Sequence, residues 1–313
     1  MERIFAACTP GLEPVLAREL ASFGLRASAV PGGVEAAGDD AVAVACLRSR
    51  AADAVALRVY DGPEKGLDRA FADARRRYGA RAPLVPRREG GRATLSMDAA
   101  GAPLFKRGWR QRVGAAPLRE SLAAGLLLAA GFDGSQPFLD PMCGSGTIAV
   151  EAALIAARRA PGLGRVFDFE SWPGRDPRRL ELLRAQLAAE ACTPAAPLRA
   201  SDRNAGALRL AQKNAAAAGV GDLLTFERLD AAAVEAPGSR GVCVVNPPYG
   251  VRLDEDAPAA WRSLAALVAR MRGWTVAVLG PERGFADAMP LAPSSTTPVR
   301  NGGLRCVLLV YRP

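Results

Sequence analysis

Residues 138–147 read Phe-Leu-Asp-Pro-Met-Cys-Gly-Ser-Gly-Thr. An apolar run here meets a glycine-rich turn, and a helical pattern follows from Thr147 to Arg159. In an open α/β sheet, ligands bind at the carboxyl ends of the strands, where glycines let the backbone approach a ligand closely. The stretch is not a Walker phosphate loop, and it lacks the full G-x-G-x-x-G of dinucleotide-binding folds. It predicts a strand, a ligand-binding turn and a helix; a plain strand–helix turn is the alternative.

Apolar runs and helical patterns alternate around this turn. An alanine- and leucine-rich helix with Pro117 at its start is predicted to end at Gly131. Such alternation is typical of a Rossmann-like, doubly wound α/β domain with a mostly parallel sheet. Further strands are predicted at 198–201, 224–227, 242–245, 275–279 and 306–311, and a further helix at 205–218.

The first third of the chain has the pattern of a smaller α/β unit. A length of 313 residues suggests two domains, since a domain averages about 150 residues. We predict domains over 1–104 and 105–313, with the Pro/Gly/Arg-rich stretch 161–179 as a loop excursion within the second. In the first domain, strands are predicted at 4–8, 54–60 and 94–98, and a turn between two strands at 30–34. Helices are predicted at 40–49 and 67–78, and a further helix from Leu12 to near Gly24.

The cysteine and histidine content excludes several kinds of chemistry. The chain has six dispersed cysteines, no C-x-x-C pair and no histidine, so it has almost nothing from which to build a Cys/His zinc site. Histidine general-base catalysis and a Ser-His-Asp triad are impossible. No apolar run is long enough to cross a membrane, and the first residues do not form a signal peptide. We expect a cytoplasmic protein that uses no metal and does not associate with a membrane.

The net charge of +9 is concentrated in one segment. Residues 65–119 hold 14 lysines and arginines against four acidic residues. A concentrated basic stretch beside a folded domain is the electrostatic footprint of a nucleic-acid partner. The alternative is a solvated basic face in an arginine-rich protein.

Two aspartates follow predicted strands of the second domain. Asp202 ends the strand after the glycine turn, where a carboxylate accepts hydrogen bonds from the ribose hydroxyls of an adenosine-type cofactor. Asp230 ends the next strand and is placed to bond an adenine amino group. Either aspartate alone is more often a helix N-cap than a ligand. In series with the glycine turn, they outline one ligand lying across the sheet edge.

The chemistry is indicated by Asn246-Pro247-Pro248-Tyr249, directly after a predicted strand. The prolines make the backbone rigid and so fix the carbonyl groups in place. The Asn246 side-chain oxygen and the Pro247 carbonyl are suited to accept hydrogen bonds from a planar exocyclic amine, which frees the nitrogen lone pair to attack a methyl group. Tyr249 offers a face for base stacking, worth roughly 1–3 kcal/mol. A Pro-Pro turn with a buried tyrosine is the alternative.

These motifs together resemble those of S-adenosylmethionine-dependent N-methyltransferases of the Asn-Pro-Pro-Tyr class. The order DPMCGSGT, SDRN, FERLDA, NPPYG spans residues 138–250. The chain is more specifically similar to THUMP-containing RNA guanine-N2 methyltransferases. That similarity is carried by RGWR at 107–110, AAPLRE at 115–120, NPPYGVRL at 246–253, NGGLRC at 301–306 and the opening residues 7–20.

The resemblance implies methyl transfer from S-adenosylmethionine to the N2 amine of a guanosine in rRNA or, second, tRNA. It also implies a ferredoxin-like and THUMP-like RNA-binding region before the catalytic domain. Asn246, Pro247, Pro248 and Tyr249 would be catalytic and hold the flipped guanine. The cofactor would be bound by Ala116, Pro117, Asp140, Pro141, Cys143, Gly144, Ser145, Gly146, Asp202, Arg203, Asn204, Asp230, Ala231 and Asn246.

One departure from the family concerns the RNA-binding module. The stretch between Tyr60 and Arg107 is shorter than the THUMP module of these enzymes, which predicts a trimmed fold. RNA would then be held mainly through phosphate contacts, which position a nucleic acid without reading its sequence. The predicted RNA-binding residues are Arg75, Arg76, Arg77, Arg81, Arg87, Arg88, Lys106, Arg107 and Arg110.

Three other functions are compatible with parts of the sequence. An adenine-N6 DNA methyltransferase uses the same tetrad, but it needs a target-recognition domain, and none follows residue 254. A protein glutamine methyltransferase has no use for the basic stretch. A non-catalytic RNA-binding scaffold would gain nothing from keeping Asp140, Asp202 and Asn246. We expect a monomeric enzyme that acts on RNA.

Overall fold

The computed structural model describes residues 1–110, 118–249, 257–282, 289 and 291–313. The strands are β1 (Glu2–Cys8), β2 (Arg26–Val30), β3 (Gly33–Gly38), β4 (Ala52–Pro63), β5 (Leu84–Glu89), β6 (Arg92–Asp98), β7 (Phe138–Asp140), β8 (Leu198–Ser201), β9 (Thr225–Glu227), β10 (Gly241–Val245), β11 (Trp274–Pro281), β12 (Ser295–Asn301) and β13 (Leu304–Tyr311). The helices are α1 (Glu13–Ser22), α2 (Ala41–Arg48), α3 (Leu67–Tyr78), α4 (Glu120–Ala129), α5 (Thr147–Ala156), α6 (Pro177–Ala189), α7 (Ala205–Ala217) and α8 (Ala257–Val268).

The chain folds into two compact units. The first comprises residues 1–106 and 160–189, and the second comprises 107–159 and 190–313. Sequence interpretation placed the segment 161–179 inside the second domain, but in the structure it packs with the first unit. Aromatic burial explains this: the Trp172 ring lies 5.5 Å from Tyr78, and the N–H of the buried Phe169 donates to the Ala99 carbonyl.

The first unit is built on one antiparallel sheet of six strands in the order β2-β3-β1-β4-β6-β5. The elements β1 to β4, with α1 and α2, form the βαββαβ arrangement of a ferredoxin-like fold. Helix α3 packs on the sheet through Leu67 and Ala74, against Ala93 and Leu95 of β6. Strand β5 was not predicted, because Leu84–Glu89 is a mostly exposed edge strand with Pro86 and two arginines and carries little apolar signal.

The second unit confirms the predicted doubly wound sheet. Its order is β12-β13-β11-β10-β7-β8-β9, with β7 to β11 parallel and β13 antiparallel to β11. From β7 the chain proceeds outward to β8 and β9, then returns to the other side of β7 as β10. The carboxyl ends of β7 and β10 therefore form the topological switch point at which such sheets bind ligands. Strand β12 and helix α8 were not predicted.

Buried apolar contacts hold the strand ends of the second unit in place. All ten residues of α5 are buried, and four of them are alanines. On the other side, Trp261 and Leu264 of α8 pack with Val245 of β10 and Trp274 of β11. Within the described residues, no helix is both apolar enough and long enough to cross a bilayer.

Candidate active site

The carboxyl ends of β7, β8, β9 and β10 surround one cleft of about 850 Å³ in the second unit. Fourteen of the predicted cofactor-binding and catalytic residues line it: Asp140, Pro141, Cys143, Gly144, Ser145, Asp202, Arg203, Asn204, Asp230, Ala231, Asn246, Pro247, Pro248 and Tyr249. The remaining predicted residues are Gly146, Ala116 and Pro117. The last two lie outside the described residues.

The glycine turn after β7 contains two glycines with positive φ, Gly144 and Gly146. Gly144 has φ 54° and its N–H donates to Asp202 Oδ2 at 2.9 Å, which ties the turn to the end of β8. Gly146 has φ 81°, and a Cβ there would lie 2.8 Å from the Ala211 side chain. Gly146 does not line the cleft, so its contact with the cofactor stays a prediction; a glycine is required there for close packing of the turn on α7.

Asp202 is held by the backbone on both sides of its carboxylate. Oδ2 accepts from Gly144, and Oδ1 accepts from the Asn204 N–H at 2.8 Å. Each carboxylate oxygen has about two lone-pair sites, so each retains one site for a ligand. Asn204 lines the cleft, but its side-chain oxygen caps α7 by accepting from the N–H groups of Gly206 and Ala207.

Asp140 is the most deeply buried carboxylate of the cleft, with 1% of its surface exposed. Oδ1 lies 3.4 Å from the Met142 N–H, and Oδ2 has no partner among the described residues. Burial raises the pKa of Asp140 well above its ordinary value, and the charge of Asp202 raises it further. An unsatisfied buried acceptor is costly, so a cationic group of a ligand would stabilise this carboxylate.

Asp230 lies at the end of β9, on the wall of the same cleft. Its Oδ1 accepts from the Ala232 N–H at 2.9 Å and caps the short 3₁₀ segment Ala231–Ala233. The cap orients the carboxylate and leaves Oδ2 as an acceptor at the cleft. Asp230 is therefore both a cap and a cleft residue, and its hydrogen bond to an adenine amino group stays a prediction.

Asn246 follows the fully buried strand β10, and its side-chain oxygen is buried without a hydrogen-bond partner in the part of the chain that the structure describes. The next residues are firmly held. The Pro248 carbonyl accepts from the indole N–H of Trp261 at 3.2 Å. The motif thus presents a rigid acceptor at the switch point, where a planar amine in the cleft would supply the missing donor.

Tyr249 is anchored by the β12–β13 hairpin, a contact that sequence reasoning missed. Its hydroxyl accepts from Asn301 Nδ2 at 3.0 Å, and the Cys306 thiol lies 3.7 Å from it. Burial raises the pKa of Tyr249, so the phenol stays protonated. Asn301 and Leu304 also line the cleft. Asn301 and Leu304 belong to the motif NGGLRC at 301–306, which in the sequence alone is only a mark of family resemblance and not a predicted site motif.

The prediction that Arg107 and Arg110 bind RNA is wrong, because neither side chain lies on an exposed surface. Their side chains are 4% and 11% exposed, inside the second unit. Arg107 Nε lies 3.4 Å from the fully buried Glu151. Arg110 donates to the Leu118 carbonyl and to Thr147 Oγ1, at the start of α5. These arginines neutralise buried acids and are therefore not available to phosphates.

The other predicted RNA-binding residues are exposed in the first unit, but they do not share one face. Arg87 pairs with Thr94 across the β5–β6 ladder, and Arg88 pairs with Ala93. Successive strand residues face opposite sides, so Arg88 lies on the side of α3 and Arg87 on the other, over the Phe5 ring. The exposed residues are Arg75, Arg76, Arg77, Arg81, Arg87, Arg88 and Lys106. No group of residues able to hold a metal ion occurs in the described ranges.

Comparisons with known proteins agree with both units. Residues 107–309 match the family UPF0020, described as an RMKL-like methyltransferase domain. Residues 3–56 match the RlmL ferredoxin-like domain. A Synechocystis sp. protein named as a candidate RNA methyltransferase is 37% identical over 222 residues, covering 69% of this chain and 58% of that protein. The chain therefore spans little more than half the length of that relative.

Two solved structures share the fold across nearly the whole chain. One is a predicted N6-adenine-specific DNA methylase from Listeria monocytogenes, with a TM-score of 0.86, 28% identity, and coverage of 100% of this chain and 96% of that one. The other is SMU.472, a candidate methyltransferase complexed with SAH, with a TM-score of 0.86, 23% identity, and coverage of 99% and 98%. The second likeness, at this identity, shows the fold alone.

Proposed function

Since the chain belongs to the family of RMKL-like methyltransferase domains, we propose that it transfers a methyl group from S-adenosylmethionine to the N2 amine of a guanosine in RNA, rRNA ahead of tRNA. The main support for this proposal is the side-chain oxygen of Asn246, which is buried in the cleft and has no hydrogen-bond partner among the described residues. Asp140 and Asp202 line the same cleft. The cleft thus joins a rigid acceptor for an amine to carboxylates suited to an adenosine-type methyl donor.

The three carboxylates of the cleft bind different parts of the methyl donor. When bound, the donor supplies an electrophilic methyl group attached to a sulfonium sulfur. Asp202, oriented by Gly144 and Asn204, accepts from the ribose hydroxyls. Asp140 meets the positive charge of the methionine portion with its unsatisfied oxygen. Asp230 accepts from the adenine amino group. Pro141, Cys143, Ser145, Arg203 and Ala231 complete this wall of the cleft, and Ala116 and Pro117 remain predicted contributors.

The Asn-Pro-Pro-Tyr motif binds and activates the base. The Asn246 side-chain oxygen and the Pro247 carbonyl accept from the two amine hydrogens, which frees the nitrogen lone pair to attack the methyl carbon as the bond between that carbon and the sulfonium sulfur breaks. Tyr249 stacks on the base, and Asn301 holds its hydroxyl so that the ring keeps its orientation. Flipping a base out of structured RNA costs a few kcal/mol, which this stacking offsets. The amine proton leaves to solvent, which agrees with a chain that has no histidine.

RNA binding is assigned to the exposed basic residues of the first unit, which we propose to be a ferredoxin-like and trimmed THUMP-like region. The similarity of 69% of the chain to a relative named as a candidate RNA methyltransferase supports RNA as the substrate. Adenine-N6 methylation of DNA is the second candidate, favoured by the name of the Listeria relative. We further propose that the enzyme is a cytoplasmic monomer.

Methyl transfer from labelled S-adenosylmethionine to total RNA, and separately to duplex DNA, tests the proposal. The RNA comes from cells that lack the gene, so that its target is unmodified. Label is expected in N2-methylguanosine, and fractionation of rRNA from tRNA then identifies the substrate. Label in N6-methyladenine of DNA would establish the second candidate instead. Asn246→Ala is the control that must strongly reduce either product.

A further inference from the structure

The β12–β13 hairpin reaches the cleft at its turn. Cys306 of β13 pairs with Pro281, the last residue of β11, so the turn lies at the same sheet edge as the catalytic motif. Asn301 and Leu304 form the last pair before Gly302-Gly303, and both line the cleft. Leu304 is 44% exposed, which is unusual for a large apolar side chain. The hairpin turn is therefore an open part of the cleft rim.

The adjacent pair of this hairpin consists of two arginines. Arg300 and Arg305 stand directly opposite each other, and both are exposed. Like charges directly opposite in an antiparallel pair are destabilising. No ion pair to either guanidinium occurs in the ranges that the structure describes, although the exposed Glu282 follows Pro281 on the neighbouring strand. The hairpin thus keeps two adjacent positive charges without an acidic ion-pair partner among the described residues.

We propose that Arg300 and Arg305 bind the RNA backbone phosphates next to the nucleotide in the cleft. This inference rests on the proposed function. Two guanidinium groups on neighbouring strands suit the oxygens of a phosphodiester, which arginine binds with paired hydrogen bonds. The opposite face of the same hairpin carries Asn301, which holds Tyr249. One rigid element would therefore hold both the stacking ring and the backbone of the nucleotide stacked on it.

A phosphate site at this hairpin would hold the RNA backbone close to the target nucleotide. Phosphate contacts fix the register of a nucleic acid, whereas base contacts specify the target. The target nucleotide must be held at the strand ends of the second unit, where the hairpin turn lies. Leu304 adds apolar surface at this rim, against which a nucleoside packs.

Two matched double variants test the proposal. Arg300→Gln/Arg305→Gln removes the pair at the hairpin turn. Arg240→Gln/Arg272→Gln removes two exposed arginines that precede β10 and β11, at the amino ends of these strands and so away from the cleft. It lowers the net charge by the same amount as the hairpin variant. Binding of a fluorescein-labelled RNA stem–loop is measured by fluorescence anisotropy at KCl concentrations from about 50 to about 300 mM, a range that includes physiological ionic strength. Calorimetry gives the affinity for S-adenosylmethionine.

The hairpin variant should bind RNA about tenfold more weakly, with the slope of log K against log salt reduced by about one to two. Its KM for rRNA should rise while its affinity for S-adenosylmethionine is unchanged, and without RNA its thermal midpoint should hold or rise. The control variant should keep the wild-type slope. Equal slopes for the two variants, or a lower midpoint for the hairpin variant, would overturn the phosphate site. Failure of the proposed function would look different: the wild type itself would not methylate RNA.

Discussion

The polar groups to which we assign a function differ in burial between the two units. In the second unit, the Asp140 carboxylate, the side-chain oxygen of Asn246 and the Arg107–Glu151 pair are buried. In the first unit, Arg75, Arg76 and Arg77 stand in water on α3. A buried polar group acts through one specific contact because no water replaces a lost partner. Exposed charges act together and are screened by salt. Substitutions in the two units should therefore differ in size and in salt dependence.

The largest effect is expected from breaking the buried Arg107–Glu151 pair. Arg107→Ala leaves Glu151 uncompensated, which should cost about 3 to 5 kcal/mol in the free energy of unfolding. The exposed Arg81→Ala should change it by at most about 0.5 kcal/mol. Urea unfolding followed by circular dichroism measures both. If Arg107→Ala were as stable as the wild type and instead had a smaller salt slope in RNA binding, the comparison would fail and Arg107 would return to the RNA-binding set.

Next comes Asn246, the buried acceptor of the catalytic motif. Asn246→Ala should lower kcat about a hundred- to thousandfold, as loss of a preorganised polar group does, because the amine loses its acceptor. Affinity for S-adenosylmethionine should change little, since Asp140 and Asp202 remain. Single-turnover methyl transfer and calorimetry separate the two quantities. A collapse of cofactor affinity together with kcat would identify Asn246 as a structural residue of the cleft.

Asp140 should make cofactor affinity depend on pH. Its pKa is raised in the free protein, so part of the population is protonated below that raised value. A cationic ligand favours the ionised form, so affinity should rise with pH through this window, with release of a proton on binding. Asp140→Asn should bind about ten- to a hundredfold more weakly above the window, and with no proton release. Calorimetry in two buffers of different ionisation enthalpy tests this. Equal proton release by the variant would assign it to another group.

A smaller effect is expected at the hydrogen bond between Asn301 and Tyr249. One such bond contributes about 0.5–1.5 kcal/mol, so Asn301→Ala should lower kcat/KM for RNA about two- to tenfold. Tyr249→Phe keeps the ring but removes the acceptor, and the double variant should be no worse than either single variant. Additive losses in this double-mutant cycle would mean that Asn301 does not act through Tyr249.

The same contrast explains how far the sequence could predict the molecule. The bounds of α3, β7 and β8 agree with prediction to the residue, because local apolar patterning and glycine turns determine them. The cleft residues were found because short motifs lie at the ends of parallel strands, which a doubly wound sheet brings to one edge. The contact between Asn301 and Tyr249 joins residues 52 positions apart and depends on pairing of the edge hairpin. The burial of Arg107 likewise depends on Glu151, 44 residues away, and no local pattern reveals it.

The smallest effect on chemistry is expected from the exposed arginines of α3. Arg75→Gln/Arg76→Gln/Arg77→Gln should leave the thermal midpoint and single-turnover methylation at saturating RNA near wild type. It should weaken RNA binding several-fold and reduce the salt slope by about two, since each phosphate contact contributes about 0.7 to 0.9. A control triple at Arg18, Arg26 and Arg178 removes as much exposed charge from the first unit outside the basic stretch. Long-range attraction of RNA depends on the total charge of the protein, which both triple variants lower equally. Only a difference between their salt slopes therefore assigns phosphate contacts to the arginines of α3. Equal slopes would mean that the first unit attracts RNA without binding it at this helix.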